Sequence, residues 1–283
     1  MPVGQTYALT FAAMIAFAAN SLLCRAALGN GEIDAASFTS IRLISGALVL
    51  AVIVYSKSEK PDFSPRRIVP AMMLFTYATT FSFAYNSLNA ATGALVLFGS
   101  VQATMMGYAL YSGERPGLIQ KTGYAMAVGG LIYLMLPGVA APSLAGSLLM
   151  GIAGISWAIY TLLGRSVSDS LADTANNFIK TAPFAMVLGL LGPGFLSAHG
   201  VILACISGAL TSGLGYAIWY SAIRGLSSTQ AASVQLSVPV ITAAGGIILL
   251  SEVVSLRLVI ASTLILGGIA FTLIRTRQND DNG

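Results

Sequence analysis

Along this chain apolar residues run in blocks of about twenty, the length that crosses a bilayer as a helix. Short clusters of Gly, Pro, Asn and charge separate the blocks. Cutting at these breaks predicts ten spans: 5–28, 34–56, 66–88, 91–112, 117–136, 143–165, 172–196, 200–223, 227–250 and 256–275. The residues after them, 276–283, are almost wholly polar and read as a disordered tail on the cytoplasmic side. The first block lacks a basic leader and a small-residue cleavage site, so it is read as a retained helix.

The pattern repeats itself at a spacing of about 138 residues, which changes the reading of the whole fold. Asn20-Ser21-Leu22-Leu23-Cys24-Arg25 returns as Tyr160-Thr161-Leu162-Leu163-Gly164-Arg165. Arg42 returns as Lys180, Glu114 as Glu252, and Gly129-Gly130 as Gly267-Gly268. Five spans per copy is an odd number, so the second copy enters the membrane from the opposite side. The expected fold is an all-α polytopic membrane protein, ten transmembrane helices as two inverted five-helix repeats over 4–136 and 143–275. Two such halves facing a shared path are how many transporters are built.

Composition supports the membrane and fixes an orientation. Apolar residues make up 56% of the chain and charged ones 8%, with a mean hydropathy of +0.81; a soluble domain carries charge on roughly a quarter of its residues. With the N-terminus in the cytoplasm, Lys57, Lys60, Arg66, Arg67, Arg115, Lys121, Arg165, Arg224, Arg275 and Arg277 collect inside. Only Arg25 and Arg257 then lie outside, so the positive-inside rule puts both termini in the cytoplasm. The net charge of +4 is spread over helix ends and forms no nucleic-acid patch. Cys24 and Cys205 both fall within spans and read as small buried side chains.

No catalytic constellation, metal cluster or cofactor fingerprint is visible. His199 is a lone loop histidine, and Gly213-Leu214-Gly215 lacks the third glycine of a dinucleotide site; its surroundings, with small residues four apart, read as close helix packing. All the acids, Glu32, Asp34, Glu59, Asp62, Glu114, Asp169, Asp173, Glu252, Asp280 and Asp281, fall in loops, tails or span ends. A proton relay or a site for organic cations would place an acid at mid-membrane. The interior instead offers rings and amides: Phe17 and Asn20, Tyr77, Thr80 and Phe81, Phe98 and Gln102, Trp157 and Tyr160, Tyr216, and Gln230 and Gln235. They either line a substrate cavity or pack and hydrogen-bond between helices. Trp219 and Tyr220 read as membrane-interface residues. Arg42 and Lys180 are cations within spans, each either paired structurally, snorkelling to the interface or contacting an anionic substrate group. Breaks at Pro70, Pro183 and Pro239, with Gly99 at the matching region of helix 4, are candidate bends, and Gly99 and Pro239 the candidate hinges.

The stretches from Tyr85-Asn86-Ser87-Leu88 to Gly113-Glu114-Arg115, and from Tyr220-Ser221-Ala222-Ile223 through Val238-Pro239-Val240 to Ser251-Glu252, resemble the paired signature of the drug/metabolite transporter superfamily in its ten-helix, EamA-type form. The first half departs from it with Val101 where the proline would fall. Within that superfamily the chain looks most like the YddG-type aromatic amino-acid exporters. The resemblance implies an inner-membrane exporter with a basket-like bundle and a central cavity. The function expected is export of aromatic and other neutral amino acids by alternating access, through facilitated diffusion or exchange. The expected partners are the amino-acid substrate and the lipid bilayer, for a monomer that needs no cofactor or metal. A multidrug or phosphorylated-metabolite carrier, and a membrane-embedded lipid-modifying enzyme, are the alternatives.

Overall fold

The computed structural model describes residues 3–56, 68–113, 116–138, 141–164, 169–223, 225–226 and 234–272. Among them it places ten helices: α1 Val3–Gly29, α2 Ala35–Ser56, α3 Ile68–Ala84, α4 Ala90–Tyr111, α5 Leu118–Met135, α6 Leu144–Gly164, α7 Ser170–Leu191, α8 Ala198–Ile223, α9 Ser237–Leu250 and α10 Leu256–Thr272. Inside hydrocarbon a backbone must satisfy its own N–H and C=O groups, and helices do this locally. By length and composition α1, α2, α4, α6 and α8 are long and apolar enough to cross a membrane, and α3, α9 and α10 are shorter apolar helices. Large apolar side chains such as Phe11, Val52, Leu190 and Ile248 stand exposed on the outer surface, which suits a lipid-facing protein.

Several helices begin on a capping side chain beside them in sequence. Asp34 accepts from Ser37 N, Asp169 from Leu171 N and Ala172 N, and Ser197 from Gly200 N. α4 differs. Its N-cap residue, Asn89, makes no side-chain cap, and the Glu252 carboxylate accepts from Ala90 N at 3.0 and 2.9 Å instead. This helix is thus capped by a residue 162 positions further along the chain.

The helix ends fix a common set of faces. The α1–α2 connection meets the α7–α8 connection through Asp34 N to Phe195 O and Ser197 N to Glu32 O. Arg25, near the end of α1, reaches Glu252 after α9 and Tyr85 O after α3. Arg257 at the start of α10 donates to Leu136 O at the end of α5. Connections 1–2, 3–4, 5–6, 7–8 and 9–10 therefore share one face, called here the far face. Both described ends, Val3 and Thr272, lie on the opposite, terminal face.

The main helix contacts are α2 with α7 and α8, α3 with α6, α1 with α8 and α9, α4 with α6 and α9, and α5 with α10. Small residues set the closest approaches. A Cβ at Gly268 would sit 2.6 Å from Ala127 N and Gly123 O, so α10 and α5 meet backbone to backbone. Gly208 of α8 is pressed against Arg42 O and Ser45 of α2.

Several elements differ from the hydrophobic pattern. α3 ends at Ala84, not at 88, because Tyr85–Leu88 turn on carbonyls of Phe81, Ser82, Phe83 and Ala84. α7 stops at Leu191, short of 196, ahead of Gly192-Pro193. α8 is regular at its ends but π-helical over Ser207–Leu214, a wider winding that sequence periodicity does not signal. Pro70 falls in the first turn of α3, where the missing N–H has no intrahelical partner to lose. Pro183 lies inside α7. α4 passes unbroken through Gly99, where a Cβ would meet Leu131 of α5 at 3.0 Å. Before α9 the winding is interrupted at Leu236, as follows from Pro239 having no N–H for the Gln235 carbonyl.

Candidate functional site

A cavity enclosing about 430 Å³ of empty space, its mouth included, lies among α1, α3, α4, α6, α8 and the start of α9. Phe17, Asn20 and Ser21 come from α1, Tyr77 and Phe81 from α3, Leu97 and Phe98 from α4, and Trp157 from α6. Thr211 and Tyr216 of α8 and Gln235 just before α9 complete it. Tyr77 and Phe81 are four residues apart and so share a helix face; they stack with ring centroids at 5.4 Å. Trp157 is the hub. Its ring lies 4.8 Å from Tyr77, 5.2 Å from Tyr216 and 5.6 Å from Tyr160.

Of the residues singled out in the sequence, Phe17, Asn20, Tyr77, Phe81, Phe98, Trp157, Tyr216 and Gln235 meet around this one space. Tyr160 and Gln102 do not line it. Tyr160 is buried behind Trp157 and donates to Thr174 Oγ1 at 3.4 Å, while Gln102 is half-buried further along α4. Trp219, expected at the membrane interface, packs edge-on against Phe17 at 5.9 Å. Gln230 and Glu114 fall outside the described residues. Ser21, Leu97 and Thr211 were not singled out. The single sequence signal for them is that each lies beside or one turn from a residue that was.

The polar part of the wall is organised by the π-helical turn of α8. Ser207 donates to Asn20 Oδ1 at 2.7 Å, and Thr211 Oγ1 lies 3.2 Å from the same oxygen. With its oxygen engaged, Asn20 offers its NH2 group to the cavity. The next residue, Ser212, accepts from Arg42 Nε at 3.2 Å.

Arg42 is 2% exposed and stands directly behind the wall. Its guanidinium carbon lies 5.0 Å from the Phe81 ring centre and 5.5 Å from that of Tyr77, and Nη2 donates to Tyr77 Oη at 3.4 Å. Nη1 is buried without a hydrogen-bond partner. The ion pair of Arg25 with Glu252, at 3.1 Å, is elsewhere, on the far face, where His199 Nδ1 also lies 3.9 Å from Glu32 Oε1. Arg42 is therefore paired structurally and does not snorkel: it is held inside by two ring faces and the hydroxyls of Ser212 and Tyr77. Lys180, its counterpart in the repeat, is half-buried near the midpoint of α7, not close to the start of that helix, and does not line the cavity.

The comparisons with known proteins agree with this architecture. The EamA-like transporter family matches residues 144–274. An uncharacterised protein of Pseudomonas aeruginosa is 50% identical over 275 residues, 96% of each chain. A protein of Archaeoglobus fulgidus described as an uncharacterised transporter is 23% identical over 289 residues, 97% of this chain and 99% of its own. A solved structure titled only as the crystal structure of a protein superposes with a TM-score of 0.67 at 18% identity, over 94% of this chain and 96% of that one, and so shares the fold. The chain belongs to the EamA-like transporters of the drug/metabolite transporter superfamily.

Proposed function

We propose that the protein exports aromatic and other neutral amino acids across the bacterial inner membrane, as a monomer, by alternating access. The observation that carries this reading is the ring-lined cavity. Phe17, Tyr77, Phe81, Phe98, Trp157 and Tyr216 turn toward one space with almost no acid or base exposed in it. Rings of this kind hold an apolar or aromatic side chain loosely, by stacking and area burial, while Asn20, Thr211 and Gln235 orient the polar end.

The lining helices support a two-half construction. They fall into pairs one repeat apart: α1 with α6 (Phe17, Trp157), α3 with α8 (Tyr77, Tyr216), and α4 with the start of α9 (Phe98, Gln235). Halves over 4–136 and 143–275 would thus share the path equally. The two faces are packed unequally, as one state of an alternating cycle would be. α4 is buried from Ala90 to Gly99 near the far face, but half-buried or exposed from Gln102 to Tyr111 near the terminal face. With the terminal face in the cytoplasm, this is the form that receives substrate from inside.

The test is efflux from proteoliposomes. Labelled phenylalanine should leave faster than a labelled sugar or a cationic dye, following its own gradient and unmoved by an imposed pH gradient, because no acid lines the cavity. Equal rates for all three solutes would overturn the reading.

A further inference from the structure

Two of the cavity's polar groups, Asn20 and Tyr77, are left as donors with a cation behind them, and that bears on what the bound molecule carries. Asn20 presents NH2 because Ser207 engages its oxygen. Tyr77 Oη accepts from Arg42 Nη2, so its own proton is left to donate. Behind both stands a guanidinium with Nη1 unpartnered and two cavity rings against it. Of the described acids, Glu32, Asp34, Asp169, Asp173 and Glu252, none lines the space. Donors and positive potential favour a carboxylate and disfavour an ammonium. Gln235 supplies an amide, which meets an ammonium, a hydroxyl or a keto oxygen alike.

Resting on the reading that the rings hold the substrate's apolar part, we propose that the site recognises the carboxylate and leaves the amino group unread. Aryl carboxylates without an amino group, such as 3-phenyllactate, are then substrates alongside the amino acids. Their chemistry gives export a driving force. An amino acid crosses as a neutral zwitterion, but an aryl carboxylate carries one negative charge outward. A membrane potential of about 100 mV, negative inside, sustains roughly a fifty-fold gradient for a single charge. Such a carrier concentrates these acids outside with no proton relay.

The experiment uses the full chain in proteoliposomes loaded with labelled 3-phenyllactate or labelled phenylalanine, with protein-free vesicles as the leak control. A potassium diffusion potential is set at zero or at about 100 mV negative inside. The expected result is protein-dependent efflux of both, with phenyllactate accelerated several-fold by the potential and phenylalanine unchanged, and no efflux of phenethylamine. Arg42→Gln should lower the phenyllactate-to-phenylalanine ratio about ten-fold, and Arg42→Lys should keep much of it. If Arg42→Gln fails to fold, the ratio and potential dependence of the unaltered protein still decide. Phenyllactate efflux without phenylalanine efflux would support this inference and remove the amino-acid reading alone. Phenylalanine efflux that phenyllactate neither joins nor inhibits would overturn the inference and leave that reading standing. Phenyllactate efflux insensitive to the potential would overturn the inference, and efflux of neither solute would overturn both.

Discussion

At the scale of single residues, Trp157 lines the cavity and Arg42 stands directly behind its wall. A cation placed within a span costs about 2.5–3.5 kcal/mol on insertion scales. Desolvated contact with a ring face returns on the order of 1–2 kcal/mol, and Arg42 lies against two such faces, with Ser212 and Tyr77 as hydrogen-bond partners. The charge is thereby kept buried without a carboxylate to cancel it. Trp157 touches the rings of Tyr77, Tyr160 and Tyr216, so removing it opens the wall of the cavity and unstacks three neighbours. A lost stacking contact is worth roughly 0.5–1.5 kcal/mol beyond area burial, a few-fold to ten-fold in affinity. Trp157→Ala and Tyr77→Ala should each reduce phenylalanine efflux by that factor, measured in cells at matched membrane expression. Unchanged efflux in both variants would place these rings off the path.

Among elements, the joint formed by Arg25, Tyr85, Ala90 and Glu252 ties four helix ends together on the far face. Glu252 is 10% exposed and Arg25 26% in their side chains, so the pair is partly shielded from solvent. The same carboxylate caps α4, which has no cap of its own. Glu252→Gln should therefore loosen the α4 start at a cost of about 1–3 kcal/mol, seen as a lower Tm in detergent. If the joint seals the far face, the same change should speed labelling of a cysteine at Leu88, buried beside it, by an impermeant maleimide. A lower Tm with no gain in labelling would leave the joint a cap and not a seal. This joint was not legible in the sequence, although Arg25, Glu114 and Glu252 all stood out in the repeat. Helical and hydropathic periods report which face of one segment is apolar, and contain no term linking residues 227 positions apart. For the same reason the rings were legible and their partners were not: Phe17, Tyr77, Phe98 and Trp157 stand near mid-span, which excludes an interfacial role. Gln102 is on α4 too, one turn beyond Phe98, but burial ends at Val101 and leaves it outside the cavity. The π-helical turn that carries Ser207, Thr211 and Ser212 changes the winding within a span whose hydropathy looks ordinary.

For the molecule as a whole, the orientation of the bundle in the membrane would decide the direction of the proposed export. Cysteines placed at Asn30 and Ser143, in connections on the far face, should react with an impermeant reagent from outside the cell. Those at Ser112 and Asp169 should react only after permeabilisation. Outside labelling at Ser112 would reverse the proposed direction. The claim on which the rest depends is that an aromatic amino acid occupies the space beside Trp157. The chain has two tryptophans, and Trp219 contacts Phe17 without lining the cavity, so Trp219→Phe leaves Trp157 as the sole indole reporter. Titrating that variant with phenylalanine should change the Trp157 emission saturably, and a sugar should not change it. Emission that stays constant at phenylalanine concentrations saturating efflux would contradict the account.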